Sequence, residues 1–502
     1  MRGGVKTFEA MSLILAIDQS TSATKAVLFD GTGKLLDKVA REHRQIYPRP
    51  GWVEHDADEI WKNVLTVIRE IVARNPKKIH RLIGLSITNQ RETVLTFDRE
   101  TSKPLHHAIV WQDRRGDAIC QKLRAQGHEN PVRQKTGLKV DTYFSASKLK
   151  WLMAEKPAIA AKLRSGEAAI GTIDTFLIHR LTEGRVFATD FTNASRTLLF
   201  DIGKLRWDEK LCRLFDVPMH TLPEVRESST HFGATDAGGI LPKEIPIVGV
   251  MGDSQASLFA QKCFLPGTAK ATFGTGTSVL LNTGGRFRPS KKGAVTALAW
   301  VWRGQPTYAL EGIISFSAAT IAWLINQLGL IQDAGEVEKL ARSVADNGGV
   351  YFVPAFAGLS APQWAPDARA AIVGMSAHTS KAHIVRAAQE AMAYQIRDVL
   401  AMMQREAKIQ LKMLYGDGGP TKNTFLMQFT ADVIQTGLNV SEVAESSAWG
   451  AALNGLLGLK IYNSPDELAK LSSKHKQFRP QMKAAQVKQL HAGWQQAVKR
   501  VL

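Results

Sequence analysis

Two short strings of the same build, one in each half of the 502-residue chain, constrain the fold more than any other feature. In the first, the apolar run Leu13–Ile17 meets the polar turn Asp18-Gln19-Ser20-Thr21-Ser22 and then the apolar run Ala26–Phe29. In the second, Lys270–Phe273 meets Gly274-Thr275-Gly276-Thr277-Ser278 and then Val279–Leu281. Short apolar runs on either side of small polar residues predict paired strands with a tight turn between them. A hairpin whose tip presents backbone N–H groups and hydroxyls suits an anion. Either turn alone also reads as an ordinary polar β-turn. Together, one per half, they predict an α/β fold made of a duplicated unit with a cleft between the copies.

The surrounding sequence fits that plan. Asp30-Gly31-Thr32-Gly33 predicts a turn into a strand at Lys34–Lys38, and Asp56-Ala57-Asp58-Glu59 reads as a capped helix start before the stripe Ile60, Val64, Ile68, Ile71, Val72. Leu82–Ile87 and Thr93–Phe97 predict strands, with Thr88-Asn89-Gln90-Arg91-Glu92 as a polar corner. In the second half, Lys381–Glu406 predicts a long helix facing Ile384, Ala388, Ala391, Ile396, Val399 and Met403 inward. Leu411–Tyr415 predicts a strand ending at Asp417-Gly418-Gly419, followed by a helix over Asn423–Gln435. The uncharged stretch Gly312–Gln332 contains Ser315, Ser317, Thr320, Asn326 and Gln327, so it predicts a buried helix and not a membrane span. The chain is too long for one core, and the boundary is expected near residues 255–268, giving domains 12–260 and 261–502.

Composition excludes several classes. Apolar residues at 44% and charged residues at 22% describe an ordinary globular protein without membrane insertion. Cys120, Cys212 and Cys263 are odd in number and far apart, which fits neither a disulfide framework nor a zinc site and predicts a reducing, cytoplasmic compartment. Residues 1–11 lack the apolar core of a signal peptide; basic Arg2–Lys6 reads as an extension, with the start at Met1 or Met11. The net charge of +18 is diffuse, apart from nine Lys/Arg against two acids between Lys460 and Leu502. No nucleic-acid motif accompanies it, so a solvated basic surface is expected and not a nucleic-acid partner.

Three further strings carry chemistry. Gly252-Asp253-Ser254 follows the apolar strand Ile247–Val250, which sets a carboxylate at a strand end. That carboxylate could take a proton from a hydroxyl, or it could cap a helix over Gln255–Gln261. Arg91-Glu92 offers a donor and an acceptor, and Trp111 and Tyr143 offer an aromatic wall; an uncharged polyhydroxy ligand needs both. The same residues also read as a surface ion pair and two core aromatics. Asp417-Gly418-Gly419-Pro420-Thr421-Lys422-Asn423 puts a double-glycine turn before a helix N-terminus, where backbone can approach an anion. No G-x-x-x-x-G-K-[ST] occurs, so a Walker-type phosphate loop is excluded.

Ala16-Ile17-Asp18-Gln19, Gln45–His55, Thr88–Thr93, Ala108–Gln112, Thr189–Leu198, Gly274–Gly276, Val353–Leu359 and Asp417–Gln428 together span about residues 13 to 460. In that order they resemble the FGGY family of carbohydrate kinases, within the actin/hexokinase superfamily, and most closely its glycerol kinases. The resemblance implies two ribonuclease-H-like domains closing on ATP, Mg²⁺ and a polyol, and phosphorylation of glycerol at a terminal hydroxyl. It places Arg91, Glu92, Trp111, Tyr143 and Asp253 at the polyol, with Asp253 as general base. It places Thr21, Ser22, Lys25, Thr275, Gly418, Gly419 and Asn423 at the nucleotide, and Asp18 near the metal through water. It also implies a homodimer or homotetramer.

The departures from the family pattern define a second expectation. Ser254 and Ser278 stand in the substrate site where the family usually has Gln and an aromatic, so a wider, wetter pocket is expected. A larger polyol or short sugar, such as a four-carbon tetritol, would fit such a pocket. Ala318 and Ala322 replace a usual Gly and Gln, Ala365 stands where Asp is frequent, and Lys25 keeps the charge of a frequent Arg without its fork. The loop Ala237–Pro242 lacks the Arg that goes with sugar-bisphosphate inhibition, so that control is not expected. A nucleotide-dependent binding or sensor protein, as on related folds, is the reading from another class; Arg91, Glu92 and Asp253 argue against it.

Overall fold

The computed structural model describes residues 12–502 apart from residues 292, 444, 472 and 473. The expected start and the basic Arg2–Lys6 segment lie outside the described residues.

Leu13–Gln19 is buried along its whole length because it runs inside a six-stranded sheet. It pairs antiparallel with Ala23–Asp30 on one side and parallel with Leu82–Asn89 on the other. A strand covered on both faces needs an unbroken apolar run instead of alternation, and Leu13–Ile17 supplies one. Leu35–Glu42 extends the sheet beyond Ala23–Asp30; Ile245–Gly252 lies parallel to Leu82–Asn89, with His231–Thr235 at the edge.

The second sheet repeats the arrangement. Thr268–Phe273 pairs antiparallel with Thr277–Gly284 and parallel with Met413–Asp417, which is parallel to Leu438–Ser441. Gln305–Ile314 lies beyond Thr277–Gly284, and Val295–Trp302 and His475–Phe478 form the edges. In each sheet the first strand of a hairpin stands between its own antiparallel partner and a later parallel strand. This is the duplicated α/β plan of the actin/hexokinase superfamily. In each sheet the parallel strands end on the same side, which is where open α/β sheets bind ligands. Asp18-Gln19, Asn89, Gly252, Phe273 and Asp417 are those ends.

Helices brace these ends. Ala57–Arg74 starts at Asp56, whose carboxylate accepts from the N–H groups of Asp58 and Glu59. Its buried stripe is Ile60, Val64, Val67, Ile68 and Ile71, with Val72 half-buried. Lys381–Ala407 buries Ala388, Ala391, Ile396, Val399 and Met403, with Ile384 half-buried. Ser446–Gly458 comes late in the chain yet packs on the first sheet and on the helix Asp253–Ala260. A Cβ on Gly450 would stand 1.8 Å from the carbonyl oxygen of Ala256, so only glycine permits that contact.

Two local expectations are corrected. Gly312–Gln332 is not one helix: Gly312–Ile314 complete the strand Gln305–Ile314 by pairing with Thr277–Val279, and only Ala318–Asn326 is helical. Pairing with a distant strand decided this, and no local composition signals it. Thr88 and Asn89 belong to their strand, so the corner begins at Gln90. The three cysteines are buried and unpaired. Among the described residues no helix is long and apolar enough to cross a membrane.

Candidate active site

Arg91 and Glu92 follow the carboxyl end of Leu82–Asn89. Glu92 has φ 62°, a left-handed conformation that costs a side-chain-bearing residue about 1–2 kcal/mol. That conformation sets its Oε1 where Arg196 Nε donates at 2.6 Å. Arg91 Nη2 donates to Glu311 Oε1 at 2.7 Å and Nη1 to Gln255 Oε1 at 3.1 Å, while Nε lies 3.3 Å from Asp253 Oδ1. Arg196 Nη2 lies 2.8 Å from Glu311 Oε2. All four members of this Arg–Glu network are buried. Charges taken out of water stabilise only when each is paired, and here positive and negative groups alternate. Burial alone would raise the Glu311 carboxyl; Arg196 and Arg91 overcome it and hold Glu311 down at about 2. The ionised network aims Arg91 at Asp253.

Asp253 is the first residue of the helix Asp253–Ala260, and Gly252 has the cap position, so the capping alternative does not hold. Its Oδ1 accepts from the adjacent Ser254 N–H at 2.6 Å, and its side chain is 38% exposed, open to a ligand. Ser447 Oγ donates to the Asp253 carbonyl oxygen at 3.0 Å, so the late helix holds this turn. Trp111 and Tyr143 meet edge to face with centroids 5.3 Å apart, and Trp111 Nε1 donates to Thr21 Oγ1 at 2.9 Å. The aromatic wall is thereby bonded to the first hairpin turn. Burial pushes the Tyr143 phenol up, so it stays neutral. Ser254 and Ser278 are half-buried, and Ser278 Oγ lies 3.5 Å from Lys270 Nζ.

Beside these groups lies a cleft of about 670 Å³ lined by Asp18, Lys25, Ser257, Thr272, Asp417 and Gly418, among others. It shares Gly419 and Lys422 with a pocket of about 550 Å³ whose walls include Ala318, Ala322, Ile325, Met392 and Leu426. A polar end joined to an apolar end suits a phosphate-bearing ligand with a flat apolar head. Ala318 and Ala322 thus form part of a smooth apolar wall. Gly418 has φ 99°, and a Cβ there would come within 1.9 Å of the Phe273 carbonyl oxygen, so this turn closes directly on the second hairpin. Asn423 lines the apolar pocket; its Oδ1 accepts from the Leu426 N–H at 2.9 Å and its Nδ2 donates to Gln389 at 2.7 Å.

Of the residues expected at a nucleotide, Lys25, Gly418, Gly419 and Asn423 line these two spaces. Thr21, Ser22 and Thr275 stand instead at the hairpin tips, with Ser22 and Thr275 exposed. Lys25 Nζ bridges Asp18 Oδ2 at 3.3 Å and Glu445 Oε2 at 2.7 Å, and Lys38 holds the other Glu445 oxygen at 2.8 Å. Burial pushes Asp18 up to about 6 although Lys25 pulls the other way. Ala365 exchanges two 2.9 Å backbone hydrogen bonds with Leu359, away from both spaces. Another hollow of about 950 Å³, bounded by Arg286, Arg288, Arg405 and Lys408, shares none of these residues. Among the described residues no group of three or more His, Cys, Asp or Glu could hold a metal on its own.

Sequence reasoning missed Glu311, Arg196, Lys270 and Glu445 as site residues. Arg196 did stand inside the noted run Thr189–Leu198, which was the available signal.

Two hairpins whose strands contribute Asp18 and Thr272 to one cleft, with the strand-end carboxylate of Asp253 nearby, fit the class of kinases that phosphorylate sugars and polyols. The chain belongs to the FGGY family of carbohydrate kinases: its N-terminal domain profile matches residues 13–260 and its C-terminal domain profile residues 269–459. Glycerol kinase 1 of Thermotoga maritima is 44% identical over 489 residues, covering 97% of this chain and 99% of the relative. The glycerol kinase of Xanthomonas campestris pv. campestris is 45% identical over 489 residues, covering 97% and 98%. Among solved structures, Plasmodium falciparum glycerol kinase with ADP superposes with a TM-score of 0.93 at 39% identity, covering 98% of each chain. A xylulose kinase from Lactobacillus acidophilus, at 20% identity and a TM-score of 0.88, shares the fold.

Proposed function

We propose that this chain transfers the γ-phosphoryl group of ATP to a terminal hydroxyl of glycerol, giving glycerol 3-phosphate and ADP. The observation that carries the reading is the half-exposed Asp253 carboxylate held 3.3 Å from the buried, network-locked Arg91. Asp253 accepts the hydroxyl proton as that oxygen bonds to the γ-phosphorus and the bond to the bridging oxygen breaks. Arg91 and Glu92 fix the neighbouring hydroxyls, and Trp111 and Tyr143 cover the C–H edge. The phosphates occupy the cleft beside Lys25, Gly418 and Gly419, and the adenosine the apolar pocket beside Asn423.

Asp18 and Asp417 both line the phosphate cleft, and among the described residues Asp417 Oδ1 is buried without a hydrogen-bond partner. A spare carboxylate oxygen beside phosphates fits a hydrated magnesium ion brought in by the nucleotide. When bound, that ion neutralises charge on the phosphate oxygens.

Full-length likeness to proteins named glycerol kinase supports glycerol as the substrate. The larger-polyol alternative rests on Ser254 and Ser278 alone and is not favoured by those relatives. ADP release measured with three- to five-carbon polyols tests the reading. Glycerol is expected to give the highest kcat/KM, and a higher value for any longer polyol overturns it. ADP release that no polyol stimulates would support the binding or sensor alternative.

A further inference from the structure

Lys270 pairs with Leu280, three residue pairs below the Phe273–Thr277 pair that closes the second hairpin, and is 1% exposed. A buried ammonium is costly unless an opposite charge or a set of hydrogen bonds compensates it. Its partners are hydroxyls and not a carboxylate: Nζ donates to Thr272 Oγ1 at 2.9 Å and lies 3.5 Å from Ser278 Oγ. Asp417 Oδ2, on the adjacent strand, is taken by Ser257 Oγ at 2.7 Å and Gln261 Nε2 at 3.3 Å. Burial lowers the proton affinity of the Lys270 amine, with Asp417 opposing it. Asp417, Glu311 and Asp253 act on this charge through space, but its hydrogen bonds go to hydroxyls, so an anion held by those hydroxyls would add compensation.

The hydroxyls indicate where that anion sits. A hydroxyl has one hydrogen to donate and lone pairs with which to accept. When Lys270 donates to Thr272 Oγ1, the Thr272 hydrogen is left for another acceptor. Ser257 Oγ, which donates its own hydrogen to Asp417, can accept that hydrogen, but at 3.5 Å the contact is longer than an ordinary O–H···O bond. Thr272 lines the phosphate cleft, so a phosphate oxygen there is an acceptor within its reach. The same polarity at Ser278, 3.5 Å from Lys270 Nζ, would leave its hydrogen for another acceptor. Donors polarised by a neighbouring charge are stronger than neutral ones.

Resting on the functional reading above, we propose that Lys270 is a positioning residue for phosphoryl transfer: its ammonium fixes Thr272 and Ser278 as hydrogen-bond donors to the phosphoryl oxygens as the group passes from nucleotide to polyol. The step balances without consuming Lys270. The polyol oxygen bonds to the γ-phosphorus, the bond to the bridging oxygen breaks with its electron pair going to ADP, and the hydroxyl proton goes to Asp253. Lys270 keeps its protons throughout and acts on charge that develops on the non-bridging oxygens.

The test uses the full chain with MgATP and glycerol, comparing wild type, Lys270→Met, Lys270→Arg, Thr272→Val and the double variant Lys270→Met/Thr272→Val. Lys270→Met and Thr272→Val are each expected to lower kcat on the order of 100-fold, the scale of a lost transition-state donor, with KM for glycerol little changed. Because Thr272 is one of the two hydroxyls through which Lys270 acts, the losses are expected to be less than multiplicative in the double variant, and Lys270→Arg to restore part of kcat. Losses that multiply, or a Lys270→Met enzyme with kcat near wild type, overturn the proposal. A kcat loss that follows a fall in Tm overturns it as well, since that is the mark of a structural lysine. Should Lys270→Met not fold, Thr272→Val decides alone, and an unimpaired kcat there sinks the idea. A wild-type chain that turns over no glycerol defeats the functional reading itself, whereas an active wild type beside an unimpaired Thr272→Val defeats only the role of Lys270.

Discussion

Glu311 accepts a 2.7 Å hydrogen bond from Arg91, and this contact ties the second sheet to the Arg91-Glu92 corner of the first. Glu311 lies inside the strand Gln305–Ile314, while Arg91 follows the strand Leu82–Asn89. Because Arg196 also pairs with Glu311, one carboxylate compensates two buried guanidiniums. Both the stability and the geometry of the site therefore depend on its charge.

Glu311→Gln keeps the shape and removes that charge. Breaking a buried ion pair by removing one partner costs about 3–5 kcal/mol. The expected outcome is a clear fall in Tm together with a raised KM for glycerol, read by thermal unfolding and steady-state kinetics. An unchanged Tm would show that the two arginines do not need this partner.

Asp253→Asn tests the base. Asparagine retains the size and the acceptor for the Ser254 N–H but cannot take the hydroxyl proton. General-base removal is expected to lower kcat by about 10²- to 10⁴-fold. Calorimetric titration should still detect glycerol and nucleotide, because Arg91, Glu92, the cleft and the apolar pocket remain. Loss of glycerol binding in step with kcat would make Asp253 a binding group only.

Ser278→Phe tests how far the small side chain sets the pocket. Its hydroxyl lies 3.5 Å from Lys270 Nζ, and a phenyl group in its place would restore apolar contact worth up to about 3 kcal/mol if fully packed. The expected outcome is a lower KM for glycerol and a steeper loss of activity toward four-carbon polyols, in a polyol panel. Equal effects on all chain lengths would place Ser278 outside the substrate pocket.

How much of this was legible in sequence depended on range. The hairpins around Ser20 and Gly274 were legible because buried central strands show as unbroken apolar runs closed by turn residues. Asp253 and Arg91 stood out as candidates because each lies a few residues past the end of such a run. Glu311 was not: it sits between Leu310 and Gly312 in a strand interior, and its partner is 220 residues away in the chain. Glu445 was hidden for the same reason, since its partners Lys25 and Lys38 lie 420 and 407 residues away, whereas Lys270 read only as a strand residue because no local pattern shows that its ammonium is buried. The splitting of Gly312–Gln332 into a strand end and a short helix has that cause too. Thr21, Ser22 and Thr275 were legible as hydroxyl-bearing turn residues, and the structure sets them at the hairpin tips, where they line neither the cleft nor the apolar pocket.

Asp174 supplies a pH test away from the chemistry. It is fully buried, and its two oxygens accept from the hydroxyls of Thr172 and Thr189, each at 2.6 Å. Burial, with Asp190 adding to it, pushes this carboxyl from 3.8 up to about 7. The folded state thus holds the proton more tightly than the unfolded chain does. Its contribution to stability is full below pH about 4 and is lost as pH rises toward 7. Asp174→Asn resembles the protonated form and does not titrate. The difference in unfolding free energy between the variant and wild type is therefore expected to grow in the variant's favour from pH 4 to pH 8, by on the order of 4 kcal/mol. Denaturant unfolding at four or five pH values across that window measures it. Because the prediction is a change with pH, a constant offset from altered hydrogen bonding leaves it intact; a difference that stays flat across the window would mean that Asp174 remains ionised in the folded protein, its two threonine hydroxyls compensating the buried charge.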